Sequence, residues 1–179
     1  MAASSSKSAS RSPGAICAVV GSDEAEVKRH ARQLAGEMAP PGAGDLGCDT
    51  VDGVADNVDQ AVTRIHQTVE ALLTLPFFGG DKLVWLKNAN FLADSVTGRS
   101  QSVLEALEKL TETLQAGLPQ GVRFLLSAPE IDKRRSFYKT LGKLGEVHVY
   151  DKLDSGRAGW EEAAASMVQG RAQAAGLRL

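Results

Sequence analysis

The stretch Ala15 to Glu24, AICAVVGSDE, sets an apolar, partly β-branched run against a glycine and then against residues that open a helix. Such a run reads as a buried strand ending at Gly21. Asp23 and Glu26 stand at capping-box spacing, and Val27, Ala31, Leu34 and Met38 follow at helical intervals, which predicts a helix starting here. A strand that passes through a glycine into a helix N-terminus is where a phosphate-binding loop sits. That loop needs several glycines, whose backbone N–H groups wrap the phosphates, together with a Lys and a Ser/Thr for phosphate and magnesium. Here the corresponding positions are acidic. Carboxylates at the helix N-terminus occupy the dipole that a phosphate would use, and they repel it. Helix capping accounts for Ser22, Asp23 and Glu24, and nucleotide hydrolysis is not expected. Gly21 to Glu24 is kept as the site of an alternative reading, a nucleotide- or small-molecule-binding α/β enzyme.

Outward from this stretch, strand and helix alternate five times. Residues 1–14 are Ser/Ala-rich without large apolar side chains, so they are expected to be a disordered tail. After a Pro/Gly loop over 39–47, Cys48 to Val51 reads as a short strand. Val58, Val62, Ile65, Val69 and Leu72 then lie on one face of a helix running to Leu73. Lys82 to Leu86 (KLVWL) is a third strand, followed by a polar loop, Asn88 to Gly98, that carries Phe91 and Leu92. Val103, Leu107, Leu110 and Leu114 mark a third helix closed by Gly117 and Pro119. Val122 to Ser127 (VRFLLS) is a fourth strand, in which Arg123 reads either as a buried ion-pair partner or as an edge residue. Asp132 is expected to cap a basic helix with Phe137, Leu141 and Leu144 facing inward. Arg135, Lys139 and Lys143 fall on another face as a solvated stripe or as a contact for DNA phosphates or a neighbouring subunit. Glu146 to Tyr150 is a fifth strand, and Trp160 to Ala175 a last helix. With right-handed crossovers the pattern gives a three-layer α/β/α sandwich on a parallel sheet, its strand order either flavodoxin-like or that of a P-loop ATPase.

Composition narrows the function. At 179 residues with 43% hydrophobic content the chain can bury a core without staples. A net charge of -2 and a pI near 5.9 argue against binding nucleic acid by bulk electrostatics, though a local basic patch survives that argument. Cys17 and Cys48 fall in strands expected to be buried and read as reduced core thiols, which points to the cytoplasm. No apolar run reaches the ~20 residues that span a bilayer, so no membrane association is expected. His30, His66 and His148 lie on separate elements without ligand-spaced companions. No metal or cofactor site is expected, and no catalytic motif appears.

The remaining anomaly is Leu73 to Leu86, LTLPFFGGDKLVWL, where two phenylalanines stand in a helix-to-strand connection. Such connections are normally short and polar. Pro76 ends the helix and Gly79-Gly80 supplies the turn. Neighbours in an extended segment point in different directions, so Phe77 and Phe78 are not both expected to tuck into the domain's core. At least one is expected to face solvent or a partner.

The ordered set GSDE, LPFFGGDKLVWLKN, VRFLLS and DKRRSFYKTLGKLGEVHVY, then a tryptophan and RAQAAGLRL, resembles the N-terminal part of the delta subunit of the bacterial DNA polymerase III clamp loader. No single motif is highly specific, but their succession from Ala15 to Leu179 is. The resemblance implies an AAA+-like α/β domain over 15–151 that lacks an ATP site, with strand order 5-1-4-3-2. Residues 152–179 would then be a linker and the first helix of a truncated lid-like helical domain. It also implies a non-catalytic subunit of a DNA-directed DNA polymerase holoenzyme, a nucleotidyltransferase. The partners implied are the sliding clamp (beta subunit), the other loader subunits and, through the complex, primer-template DNA. In that family the hydrophobic pair before the third strand inserts into a pocket of the clamp. Phe77 and Phe78 match it by position, and Leu75, Pro76, Gly79 and Gly80 would shape the loop. Family members often carry Leu-Phe there, so Phe-Phe is a mild departure that keeps the chemistry.

Overall fold

The computed structural model describes residues 13–42, 44–76, 79–154, 156 and 158–177. The tail expected over 1–14 falls, up to residue 12, outside the described residues, as do Phe77 and Phe78. The chain forms β1 (Ile16–Val20), α1 (Glu24–Met38), β2 (Cys48–Asp52), α2 (Val58–Leu73), β3 (Lys82–Lys87), α3 (Gln101–Gln115), β4 (Val122–Ala128), α4 (Ser136–Leu144), β5 (Glu146–Val149) and α5 (Trp160–Ala174). Short 3-10 turns at Gly44–Gly47 and Asn90–Leu92 complete it.

All strand pairs are parallel, and the sheet order is β2-β3-β4-β1-β5. Read from its other edge this is 5-1-4-3-2, the P-loop ATPase arrangement. Period-2 alternation sorts the strands' side chains onto two unequal faces. Ala18, Val20, Val84, Leu86, Phe124 and Leu126 meet α2, α3 and α4 in the larger core. Cys17, Val19, Leu83 and Leu125 meet only α1, through Val27, Ala31 and Met38. β1, flanked on both sides and covered on both faces, has all five residues buried.

Several expectations change at the level of single side chains. The buried stripe of α2 is Ala61, Ile65, Thr68 and Leu72, while Val58, Val62 and Val69 pack at its margins. Thr68 is tolerated at the centre because its hydroxyl donates to the Arg64 carbonyl at 2.8 Å. The connection after β3 is not a solvated loop: Ala89, Phe91 and Leu92 are buried. The Asn90 side chain fixes it by accepting from the Ala55 amide and donating to the Ala55 carbonyl, both at 3.0 Å. α4 begins at Ser136, so Asp132 is not its cap. Instead Asp132 accepts from the Arg134 amide at 3.1 Å in a turn ahead of the helix. Leu144, expected to face inward, is 39% exposed at the last position of α4. Cys48 lies on the edge strand and is only half-buried, whereas Cys17 is buried; both are free thiols. Tyr150 lies one residue beyond β5, yet its amide still donates to the Val20 carbonyl at 2.8 Å. No helix among the described residues is long and apolar enough to cross a membrane.

Candidate functional site: the connection between α2 and β3

α2 is launched by Asn57, whose side chain accepts from the Gln60 amide at 2.9 Å. It ends where Thr74 turns extended (φ -81, ψ 123) with its amide and its hydroxyl both bonded to the Glu70 carbonyl, at 2.9 and 2.8 Å. Pro76 follows, and with no N–H it cannot extend the helical ladder. The Gly79 amide donates to the Pro76 carbonyl at 3.2 Å, drawing the loop's two sides together. Gly79 (φ 67) and Gly80 (φ 121) hold left-handed backbone, while a Cβ at either would meet no atom within 4 Å. Backbone conformation, not space, therefore requires glycine at this turn. Of the residues expected here, Leu75 is 67% exposed, Pro76 is half-buried, and Gly79 and Gly80 are exposed. Phe77 and Phe78 lie outside the described residues.

Two further residues belong to the site. Leu73 is 59% exposed beside the fully buried Leu72, so the last turn of α2 presents one leucine to the core and one to solvent. Lys82 opens β3 with only 5% exposure. Its ammonium donates to the carbonyls of Ala71 (2.5 Å) and Thr74 (2.6 Å) and pairs with the Asp49 carboxylate at 3.1 Å. A lysine at the head of an otherwise apolar strand was the only trace of this in the sequence. Its partners are mostly backbone carbonyls, which no residue pattern reveals.

The loop after β1 sits at the opposite edge of the sheet. Gly21 (φ 142) has no room for a side chain: a Cβ would lie 2.1 Å from the Tyr150 carbonyl oxygen. The amides that would wrap a phosphate have protein acceptors. Gly21 donates to the Ala128 carbonyl (3.2 Å), Ser22 to the Asp151 carboxylate (3.1 Å) and Asp23 to the Tyr150 carbonyl (2.9 Å). Asp23 caps α1 by accepting from the Glu26 amide at 3.3 Å. A cleft of about 620 Å³ opens beside this loop, lined in part by Asp23, Glu26, Tyr150 and Arg171. Arg171 of α5 reaches across it to Asp23 at 3.4 Å and Glu26 at 3.1 Å. The Arg29 guanidinium, 2.8 Å from Glu26, is the main cause holding that carboxyl below its ordinary range. The cleft thus presents carboxylates already matched to the chain's own arginines.

The basic residues on and before α4 do not form one exposed row. Arg135 is the cap position of α4, and its side chain, 17% exposed, donates to the Gly98 carbonyl (2.6 Å) and pairs with Asp132 (3.3 Å). Lys139 and Lys143 are exposed. Hydrogen bonds from Arg134 hold the Asp132 carboxyl far below its usual range. Arg134 also reaches Asp94 at 2.9 Å, tying the connection after β3 to the one after β4. In β4, Arg123 is half-exposed and pairs with Asp81 at 3.5 Å. Among the described residues no cluster of three His, Cys, Asp or Glu side chains is placed to hold a metal.

A five-stranded parallel sheet in this order, with a first-strand loop whose amides are occupied, defines an AAA+-like domain with a degenerate P-loop. The sequence matches the family model described as DNA polymerase III, delta subunit, over residues 19–150, and the chain belongs to that family. Among solved structures it is similar to the Bacillus subtilis DNA clamp loader delta protein, with a TM-score of 0.59 and 20% identity over 88% of this chain and 42% of that one. A DNA polymerase III gamma subunit-related protein from Thermotoga maritima aligns with a TM-score of 0.48 and 16% identity, over 89% of this chain and 46% of that one. The chain therefore spans less than half the length of either structure. No curated protein matches the sequence.

Proposed function

We propose that this delta-family chain binds the DNA polymerase sliding clamp through the connection between α2 and β3 and helps open the ring for loading onto primed DNA. The observation that carries the reading is the exposure of Leu73 and Leu75 on either side of Thr74, just ahead of the Phe77-Phe78 pair. Four large apolar residues within six positions, at least two of them in solvent, form a surface that a partner's apolar pocket would bury. Pro76, Gly79 and Gly80 hold the shape of the loop. Burying two phenylalanines contributes roughly 3 to 6 kcal/mol, against an association cost on the order of 4 to 15 kcal/mol. The leucines and neighbouring contacts supply the balance.

Ring opening then follows from differential binding: a subunit opens a ring only if it binds the sprung conformation better than the closed one. Hydrolysis by this chain is not required; ATP is used by sister subunits in this reading, and DNA is reached through the assembled cytoplasmic complex. Lys139 and Lys143 offer exposed cations to phosphates or to a neighbouring subunit, whereas the Arg135 guanidinium is taken up by Gly98 and Asp132. The alternative, a nucleotide site at Gly21 to Glu24, is disfavoured by the occupied amides and paired acids there. The test is affinity for the cognate sliding clamp. Replacing either phenylalanine with alanine is expected to weaken binding by about 2 kcal/mol with the melting temperature unchanged. Full affinity in the Phe77→Ala/Phe78→Ala double variant would sink the proposal.

A further inference from the structure

Lys82 lies where an apolar residue would be expected. Its side chain shares a sheet face with Val84 and Leu86, both buried in the larger core, and it is itself 5% exposed. Burying an ammonium is costly unless its donors are matched. Here they are, by the Ala71 and Thr74 carbonyls and the Asp49 carboxylate. The two carbonyls belong to the C-terminal end of α2, where carbonyls lack intrahelical partners and carry the negative end of the helix dipole. Ala71 loses its i+4 partner because the chain leaves the helix at Thr74. The cation at the start of β3 takes that partner's place and bonds to Thr74 as well.

We infer that Lys82 is a positioning residue for the clamp-binding loop, a staple that joins the loop's two ends from inside the protein; this rests on the function proposed above. One end of the loop is Thr74 and the other is residue 82 itself, so a single ammonium fixes the separation of the two points from which residues 75–81 hang. The Lys82 amide donates to the Gly121 carbonyl at 2.8 Å, anchoring the far end to the turn before β4. Asp49 ties the staple to the edge strand β2, next to Cys48, whose register partner is Leu83. Leu73 and Leu75 flank the Thr74 carbonyl that the ammonium holds. A loop held in this way loses less freedom on binding, and affinity rises through pre-organisation rather than through new contacts.

Lys82→Met keeps the length of the apolar stem but removes the ammonium, leaving the Ala71 and Thr74 carbonyls and the half-exposed Asp49 carboxylate without their donor. The variant is expected to stay folded but to melt below the parent temperature, so its binding is measured well under that transition. Its clamp affinity should nevertheless fall about tenfold, and amide exchange should quicken over residues 74–81. Lys82→Arg, which keeps the donors, should recover most of the affinity. A folded Lys82→Met chain that binds the clamp like the parent, while the double phenylalanine variant does not, overturns the staple and leaves the loop reading intact. Parental binding by the double phenylalanine variant removes the loop reading and the staple with it. Should Lys82→Met fail to fold, Asp49→Asn decides: its carboxylate is half-exposed, and an affinity equal to the parent's would overturn the inference, whereas a several-fold loss would uphold it.

Discussion

His30 lies flat against Tyr150, ring centroids 4.0 Å apart and planes within 10°. Burial is the main cause that lowers its pKa below the ordinary 6.5; Arg29 and His148 act in the same direction, and Glu26 opposes them. A histidine harder to protonate when folded than when unfolded binds fewer protons in the native state. Its contribution to stability is therefore complete above the unfolded value and is lost as pH falls through the lower folded one. The melting temperature should accordingly decline between about pH 7 and pH 5, and His30→Gln should flatten that part of the curve. An equal slope in both proteins would show that other groups control it. At this scale the sequence is readable wherever a residue acts on its near neighbours, as Asp23 does in capping α1. It is opaque where the fold supplies the partner. The ring beneath His30 comes from the end of β5, the carbonyls around Lys82 come from α2, and Arg135 finds its acceptor at Gly98.

Helix α2 carries the site at its end, and its own stability rests on its two termini. Asn57 satisfies an amide that would otherwise be orphaned in the first turn. Asn57→Ala should cost about 1 kcal/mol in chemical denaturation. Because the C-terminal staple is independent of that cap, clamp affinity should hardly change in the same variant; a parallel loss of both would mean that the helix transmits disorder along its length. The bounds of α2 were readable because the apolar spacing and Pro76 are local signals. Its buried face was misjudged by part of a turn, since three valines outweighed one alanine and one threonine in hydrophobicity. Small residues at 61 and 68 let the helix approach the sheet and α3 closely, and that choice is made by packing. The same limit explains Phe91 and Leu92. They sit among polar neighbours in sequence, yet fill the core because Asn90 pins the turn that holds them.

Across the molecule, the loop after β1 and the connection before β3 lie at opposite edges of the parallel sheet. Neither Leu73 nor Leu75 lines the cleft beside Arg171. The occupied amides of Gly21, Ser22 and Asp23 predict that ATP with magnesium leaves the melting temperature of the chain unchanged. The cognate clamp should raise it by mass action, since a ligand stabilises only what it binds. A clear upward shift with ATP would restore the nucleotide-binding reading. The alternation of strands and helices was readable in outline, but five βα units are compatible with more than one strand order. The order came from the family resemblance, and the sheet carries it.

That order has a consequence for synthesis on the ribosome. β1 precedes both of its ladder partners, β4 and β5, in the chain; Ile16 pairs with Phe124, on the order of a hundred residues later. Until then AICAVV, all apolar, has neither neighbour to bond its peptide groups. The nascent chain must therefore carry an unpaired, sticky strand until β4 has been made, which makes it a natural client for chaperones that shield such segments.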